Sequence, residues 1–530
     1  MNDGWALNLG EHTRKVSTSS PEAQLWFDRG LNMTFGFNHE EAVSCFEKSL
    51  KADPLCVMSH FGLALALGVN YNNPFLSNAA ARKARTHATR AQYIIESKEA
   101  TSTEVEAKLV FALQKRMVPP CDGAEAPSSD EILKSNIAFS QAMREVNTQF
   151  GHDDADVTAV FSESLMQLSP WKLWKGGQPC EHTPEILRTL AAGLQQFPHH
   201  PSLLHLYCHA MEMAPKSLYF DQKLLATVSL LRSVAPDSGH LLHMPSHIYI
   251  QQGNYREAIA TNLQGIRADL KYVGMRNTEN FYTLYRIHNY HFVVYAAMLS
   301  GHYQLAISHA VDLVNTCPWN SEWFKGVVQW LEPFLSVFLH VMVRFGRWRE
   351  ILQLQFPFRT DENVTETVGF PLMTKNGENS DSEDEFLSGV REGDRCIFCT
   401  SVANYHYARG LACSALGMVS RAQQELQQLR AAAEKVPSTY LMHNNTATDL
   451  LAIAIHMLEG EVAYREQHTE VAFRSLNTAV DMCDSLPYDE PWGDKLSFFV
   501  LCCVVCVCCA VVLCVCCVVC VLCCYVFGCV

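Results

Sequence analysis

The chain lacks several features that would assign it to a familiar class. It has 41 Lys and Arg against 55 Asp and Glu, so it lacks the positive surface that general nucleic-acid binding requires. The first residues, MNDGWALNLGEHTRK, contain no apolar core of signal-peptide length, which predicts a cytoplasmic protein. A long run of alternating β-branched residues is also missing, and this argues against a sheet. Finally, we find no Gly-rich phosphate loop, evident nucleophile or acid–base carboxylate pair, so the sequence leans away from an enzyme without excluding one.

The cysteines do not form an obvious framework. Twelve of the 22 follow Leu501, and the other ten are scattered, as free thiols in a reducing compartment are. Cys396 and Cys399 form a single C-x-x-C pair beside an acidic stretch. Because a structural zinc site usually needs a second such pair, we interpret this one as a chance pairing rather than a metal or redox motif.

What the chain does contain is a helical pattern that recurs every ~34 residues. Small and aromatic residues occupy the positions where the two antiparallel helices of a tetratricopeptide repeat cross. Glycine recurs at position 15, where the turn between the helices favours a left-handed residue. The pattern predicts an all-α, right-handed superhelical solenoid of tetratricopeptide-type helix pairs. The clear units start at Ala23, Gly239, Ile287, Ala403 and Ile453, and a further unit starts at Pro201.

Composition divides the chain into five segments. The segment that precedes the C-terminal repeats is polar and contains the sequence TKNGENSDSEDE. It has too few apolar residues to build a core, which predicts a disordered insertion. The predicted segments are an N-terminal extension (1–20), a tetratricopeptide solenoid (21–357), the acidic insertion (358–395), C-terminal repeats (396–490) and a hydrophobic tail (496–530).

Several segments are similar to a family of uncharacterised tetratricopeptide-repeat proteins, known from bacteria and some eukaryotes. They read FGFNHEEAVSCFEKSLKADP, LHLYCHAME, GHLLHMPSHIYI, YRIHNYHFVVYAAMLSG and YHYARGLACSALG, and GHLLHMPSHIY is the most specific. The resemblance covers roughly 20–490. It implies a tetratricopeptide solenoid and implies no reaction. The chain departs from the family in its longer acidic insertion and in everything that follows Pro487–Trp492.

The tail, Leu496 to Val530, has 35 residues without a charge, mostly Val, Cys, Leu and Phe. A membrane-spanning helix needs ~20 apolar residues, so this length predicts a tail anchor with the solenoid on the cytosolic side. The same composition is also what translated TG-rich repetitive DNA would give, which leaves a mispredicted gene end as the alternative. A membrane location is therefore expected only if the tail is genuine.

Seven histidines fall on one face of three consecutive predicted repeats. In such a superhelix, positions 2, 5, 9 and 12 of each first helix face the concave groove, because residues three or four apart share a helix face. Position 5 is histidine in all three units. The residues predicted to line the groove are His205, His209, Glu212, His240, His243, His247, His288, His291 and Tyr295.

This face has two main interpretations. As an interaction scaffold, the groove would bind a protein segment, peptide or small ligand without a cofactor, or the histidines would serve packing alone. As a metal-binding protein, possibly a hydrolase, the chain would use His205/His209 and His243/His247, whose i,i+4 spacing is that of H-E-x-x-H zinc sites. Zn, Fe or Mn are the metals considered, and Pro245 is expected to disturb the second pair. A membrane-anchored adaptor is a third possibility, and it depends on the tail.

Overall fold

The structure is a computed structural model that describes residues 4–118, 126–276, 279–319, 321–354, 391–392, 395–396, 398–442 and 444–487. It has two compact units, Met1–Asn289 and Tyr290–Val530. The prediction of an all-α chain of helix pairs is confirmed, since the described residues form helices apart from three short strand pairs. Most of the predicted acidic insertion and the whole hydrophobic tail lie outside the described residues.

The first unit is built from consecutive helices that pack in pairs. Several start at side-chain caps: the Ser20 hydroxyl accepts from the backbone of α1, and Thr103 and Ser128 form capping boxes with α5 and α6. The helices are α1 (Pro21–Phe35), α2 (His39–Ala52), α3 (Val57–Ala66), α4 (Asn78–Ser97), α5 (Glu104–Gln114), α6 (Ser129–Phe150), α7 (Ala155–Met166), α8 (Thr183–Gln196), α9 (Pro201–Met211), α10 (Lys216–Tyr219), α11 (Gln222–Ser229), α12 (Leu231–Val234), α13 (Gly239–His243), α14 (Pro245–Gln251) and α15 (Tyr255–Arg276). Strands β1 (Trp174–Lys175) and β2 (Gln178–Pro179) form one antiparallel pair.

Helix α16 (Tyr282–Leu299) begins in the first unit and ends in the second. The second unit continues with α17 (Tyr303–Thr316), α18 (Glu322–Leu331), a 3₁₀ helix (Glu332–Ser336), α19 (Val337–Arg344), α20 (Trp348–Gln353), α21 (Cys399–Ala415), α22 (Val419–Ala433), α23 (Ala447–Arg465) and α24 (Thr469–Ser485). Two antiparallel strand pairs accompany them: β3 (Arg391–Glu392) with β4 (Arg395–Cys396), and β5 (Leu441–Met442) with β6 (Asn445–Thr446).

The repeat register is visible in the backbone of the turns. Position 15 has a positive φ in all five clear units, and glycine fills it in three of them. The other two place a side chain in this left-handed conformation, which costs an L-residue roughly 1–2 kcal/mol. Gly346 marks a further turn of the same kind that the sequence pattern missed. The φ values at position 15 are Phe37 56°, Gly253 75°, Gly301 76°, Gly417 75° and Gln467 64°.

The first unit closes on itself. The guanidinium of Arg276, at the end of α15, forms two hydrogen bonds of 2.6 and 2.8 Å with the carboxylate of Glu41 in α2. The N-terminal segment also joins distant parts, because the backbone N–H of Asp237 donates to the carbonyl of Asn8 at 2.9 Å. The first helix pair therefore contacts the last helices of the same unit, and the side chains between them are shielded from solvent.

In the second unit, a buried glutamate connects two repeats. The carboxylate of Glu332 accepts from the backbone N–H groups of Thr400 and Ser401, at 2.8 and 3.0 Å, and from the Ser401 hydroxyl at 2.7 Å. These N–H groups lie in the first turn of α21, where the helix offers no partner of its own. Glu332 is fully buried, and it caps this helix from another repeat.

One stretch of the second unit, Gly326–Arg344, is long and apolar enough to cross a membrane, with a mean hydropathy of 1.4. However, 67% of this apolar stretch is buried inside the protein, as in the core helices of soluble proteins. It is therefore weak evidence for a membrane span. The predicted tail anchor is a separate segment and stays a prediction.

Candidate metal centre

The histidine face is positioned by α9, α13, α14 and the start of α16. Helix α9 begins at Pro201, a residue suited to the first helical position, and it turns Leu204 and Cys208 into the apolar core. This leaves His205 and His209 on another side of the helix. Pro245 has no N–H to continue α13, so that helix ends and α14 begins at the proline itself.

Six of the histidines form two triads. In each triad, one ring nitrogen from every histidine lies within 4.8 Å of the others. Both triads follow one rule: positions 5 and 9 of one repeat meet position 2 of the next. All six side chains are buried, with exposed fractions from 0% to 7%. The first triad is His205, His209 and His240, and the second is His243, His247 and His288.

In the first triad, oxygen acceptors fix the protons of two rings. Nδ1 of His205 lies 2.8 Å from the carbonyl of Phe35, at the end of α1, where the helix leaves its carbonyl groups unpaired. Nδ1 of His209 lies 2.8 Å from Oε1 of Glu212. Since these oxygens accept, each Nδ1 carries the hydrogen and each Nε2 has a lone pair, which in His205 faces Nε2 of His240 at 3.0 Å.

In the second triad, one ring repeats this hydrogen bond and a second ring has a close carboxylate contact. Nδ1 of His243 lies 2.6 Å from Oδ1 of Asn262, whose amide is oriented because its Nδ2 donates to the carbonyl of Ala258 at 2.7 Å. Nδ1 of His247 lies 3.1 Å from Oε2 of Glu212, a close contact that is not aligned as a hydrogen bond. Metal-bound histidines in proteins commonly donate their second ring N–H to such oxygens, which orients the ring and raises its basicity.

The consequence is clearest between His243 and His247. Their Nε2 atoms are 2.7 Å apart, although Pro245 interrupts the helix between them. A neutral imidazole has only one N–H, and His243 already uses its own at Nδ1, so the contact between the two Nε2 atoms holds at most one hydrogen, from His247. A cation in place of this hydrogen would be bound by both nitrogens, with the His247 hydrogen moved to Nδ1 beside Glu212. Two nitrogens bound to one tetrahedral zinc are about 3.3 Å apart, given Zn–N bonds of about 2.05 Å, so a small separation of the rings suffices.

The surroundings keep these rings neutral. Burial lowers the pKa of His205 and of His288 to about 3. Burial, followed by the neighbouring histidines, holds the pKa of His209, His240 and His247 well below the ordinary value of 6.5. Neutral imidazole is the form that binds metal, because a protonated ring has no lone pair to donate.

No family model and no curated protein match this chain. Among solved structures, the chain is similar to a human IFIT1 dimer with m7Gppp-AAAA, at 11% identity over 88% of this chain and 91% of that chain, with a TM-score of 0.34. It is also similar to yeast Tom70, at 10% identity over 90% of this chain and 87% of that chain, with a TM-score of 0.31. Likenesses this distant decide nothing about function. The tetratricopeptide-type fold follows from the helix pairs and turns, and membership of the uncharacterised family stays a prediction.

Aromatic rings enclose the first triad. The ring of Phe37 stacks on His209 and on His240, with centroids 5.8 and 5.6 Å apart and interplanar angles of 18° in both cases. Tyr71 and Trp171 stack on each other at 5.3 Å and both contact the His209 ring. These rings exclude water from the histidines, which strengthens any electrostatic interaction inside. Phe37 and Trp171 both have positive φ values, 56° and 59°.

The motif GHLLHMPSHIY starts with a glycine that the packing requires. A Cβ at Gly239 would lie 1.9 Å from Oδ1 of Asp269 in α15. The same oxygen accepts from the hydroxyl of Tyr282 at 3.0 Å, and that hydroxyl accepts from the backbone N–H of His240 at 3.2 Å. The close approach therefore fixes the backbone that carries His240.

A third cluster, His12, Asp156 and His200, has a similar composition. Oδ1 of Asp156 accepts from both histidines at 3.0 Å, and its Oδ2 accepts from Nη1 of Arg14 at 2.9 Å. Nδ1 of His200 accepts from the backbone N–H of Leu203, so it caps α9. Burial opposes ionisation of Asp156, yet these hydrogen bonds hold its pKa well below 3.8. The guanidinium already supplies the cation here, so this cluster is a structural network.

The structure thus brings together seven of the predicted groove residues. His240 and His288 were predicted for the groove but not as metal ligands, because only i,i+4 pairs were considered; the position-2 histidines were the signal. The prediction placed the set in a concave groove, whereas the first unit buries it by closing on itself. His291 and Tyr295 belong to the second unit, where both are buried and His291 contacts Phe334. Phe37, Tyr71 and Trp171 were not predicted to contact the site.

Proposed function

We propose that this tetratricopeptide-type protein binds divalent transition-metal ions, one in each histidine triad. The observation that supports this most directly is a set of four histidines whose Nδ1 atoms each lie within 3.1 Å of an oxygen acceptor, three of them in hydrogen bonds. Their Nε2 lone pairs are thereby directed inward, among rings that are buried and neutral. The four are His205, His209, His243 and His247.

The chemistry of the ligands narrows the choice of metal. Imidazole nitrogens suit Zn, Cu, Fe and Ni, whereas Mg and Ca prefer oxygen. Each triad offers three protein ligands, and three ligands with one open position is the arrangement by which catalytic zinc activates water. Hydrolytic chemistry is consistent with this geometry and remains a hypothesis, as does any other activity.

The interaction-scaffold hypothesis concerns a different part of the molecule. A peptide cannot contact the predicted groove residues without opening the first unit, since their side chains are at most 7% exposed. A protein partner would therefore bind the outer surfaces of the repeats. The absence of nucleic-acid partners and the cytoplasmic location both stay predictions from charge and from the start of the chain.

Metal content of the purified full chain tests the proposal. We expect a transition metal to copurify, or zinc to bind after treatment with a chelator, at one ion per triad. His209→Ala should abolish binding in the first triad and His247→Ala in the second, because each removes one of three ligands. Elemental analysis and zinc titration of the dialysed proteins measure both effects.

His12→Ala is the matched control. It removes a histidine of the Asp156 network, so metal content should stay at the wild-type level. A wild-type protein that neither retains metal nor binds added zinc, cobalt, copper, nickel or ferrous iron would refute the proposal. Equal metal loss in His12→Ala and His209→Ala would show that the triads are not the specific sites.

A further inference from the structure

We infer that Glu212 is a positioning residue shared by both triads, so that the two metal sites form one coupled centre. This inference rests on the proposed metal binding and goes beyond it. Independent sites would each need an acceptor of their own for the histidine Nδ1 hydrogens. Here one carboxylate is hydrogen-bonded to His209 and lies 3.1 Å from Nδ1 of His247, and these histidines belong to different triads and different repeats.

The geometry divides the two carboxylate oxygens between the triads. Oε1 lies 2.8 Å from Nδ1 of His209, and Oε2 lies 3.1 Å from Nδ1 of His247. Glu212 is fully buried, and the two histidine side chains are 1% and 2% exposed. The carboxylate therefore fixes the tautomer of His209 through a hydrogen bond, and it favours a hydrogen on Nδ1 of His247 through its negative charge 3.1 Å away, since bulk water does not reach either ring.

The backbone of Glu212 is held as well. The residue caps the C-terminus of α9, where its carbonyl accepts from the hydroxyl of Tyr219 at 2.7 Å. With the main chain fixed, the carboxylate stays between α9 and α14. Asn262 provides a contrast, because it accepts only from the ring of His243 and so serves the second triad alone.

An ionised carboxylate has two accepting oxygens, and this is what the site requires. An amide has one accepting oxygen and one donating NH₂ group, so Gln at position 212 can accept from only one of the two histidines. The other histidine would then face a donor, move its hydrogen to Nε2 and lose the lone pair that binds metal. Leucine at the same position would accept from neither ring.

The test is a cobalt titration of the full chain, in which visible absorption reports tetrahedral Co²⁺ and zinc competition gives affinities. We expect Glu212→Leu to weaken binding in both triads by about 10–100-fold, as is usual for lost partners of metal-bound histidines. Glu212→Gln should keep one ion near wild-type affinity and weaken the other by about the same factor. Asn262→Leu should weaken only one ion.

Variants in which only one triad can bind metal allow each site to be measured separately. The His240→Ala variant should bind metal only in the second triad, and the His288→Ala variant only in the first. One accepting oxygen is then enough, so Glu212→Gln should have most of the metal affinity that Glu212→Leu loses in either variant. Glu332→Gln, which changes another fully buried carboxylate that contacts Thr400 and Ser401, should leave both affinities unchanged.

The outcomes separate the two proposals. Two bound ions in the wild type with unchanged affinities in Glu212→Gln would overturn the sharing of Glu212 and leave metal binding intact. Loss confined to one triad in Glu212→Leu would have the same meaning. A wild-type chain that binds no metal overturns both. Glu212→Gln preserves the size and shape of the side chain. It therefore tests whether Glu212 is shared by both triads even if Glu212→Leu does not fold.

Discussion

The Asp156 cluster and the two histidine triads of the first unit are all rich in histidine, but they differ in where a positive charge comes from. In the Asp156 cluster the cation is Arg14, which pairs with both Asp154 and Asp156, and two histidines donate to Asp156. In the histidine triads, Nε2 atoms lie 2.7 and 3.0 Å apart across His243/His247 and His205/His240. Counting histidines does not distinguish a metal site from a structural network. What distinguishes them is whether the cation is already part of the protein.

A mutation in the Asp156 cluster should therefore change the stability of the protein and leave its metal content unchanged. Asp156→Ala removes the acceptor of His12 and His200, while Arg14 keeps its ion pair with Asp154, and we expect a loss of about 3 kcal/mol in unfolding free energy at pH 7. Metal content should not change. Urea unfolding and elemental analysis of the same samples measure the two effects. Loss of metal without loss of stability would show that the Asp156 cluster is a metal site rather than a structural network.

The pH dependence of this loss has a definite sign. Because the folded-state pKa of Asp156 lies well below 3.8, its contribution to stability is present above about pH 4 and is lost as the pH falls below that value. The difference between wild type and Asp156→Ala should thus narrow below about pH 4. Repeating the urea titrations between neutral and acidic pH checks this.

A smaller effect is expected at Phe37, which covers the first triad. Phe37→Gly removes a buried ring, worth about 3 kcal/mol, and relieves a left-handed backbone that costs about 1 kcal/mol, so the net loss is about 2 kcal/mol. It also opens the triad to water, so a chelator should remove metal from that triad faster. Unfolding measurements and stopped-flow chelation report these separately. A variant whose metal release is as slow as in the wild type would mean that the ring does not shield the site.

The smallest effect is expected at Gln467, which holds the same repeat position in the second unit. Its φ is 64°, but its side chain is exposed. Gln467→Gly should therefore gain about 0.5 kcal/mol, because the backbone strain is relieved and no packing is lost. Thermal unfolding compared with Phe37→Gly shows whether position 15 is strained in the same way in both units. A loss of stability in Gln467→Gly would contradict this interpretation.

The fold could be predicted from sequence wherever one repeat determines its own structure. The glycines at position 15 and the small residues at helix crossings depend on contacts inside a unit, so the pattern located five turns correctly. The turn at Gly346 was missed because its first helix is a 3₁₀ helix followed by the short α19, which blurs the period. The closure of the first unit depends on pairs such as Glu41 and Arg276, which lie 235 residues apart and leave no local signal.

The candidate site was predicted in part for the same reason. Helical spacing identified the face that carries His205, His209, His243 and His247, and the structure gives these four their oxygen acceptors. The acceptors themselves include the carbonyl of Phe35 and the side chain of Asn262, whose positions follow from tertiary packing. The sequence also implied that Pro245 would separate a pair that the structure places in contact.

The closure of the first unit also bears on how the chain folds. Repeat proteins usually behave as one-dimensional arrays, in which each repeat interacts only with its neighbours and the ends fray independently. The ion pair between Glu41 and Arg276 and the backbone pairing of Asn8 with Asp237 join the two ends of such an array. An array with joined ends has no terminal repeat to lose first. The first unit should therefore unfold in a single cooperative step, at the cost of slow folding, because its closing contacts require most of the chain to be in place.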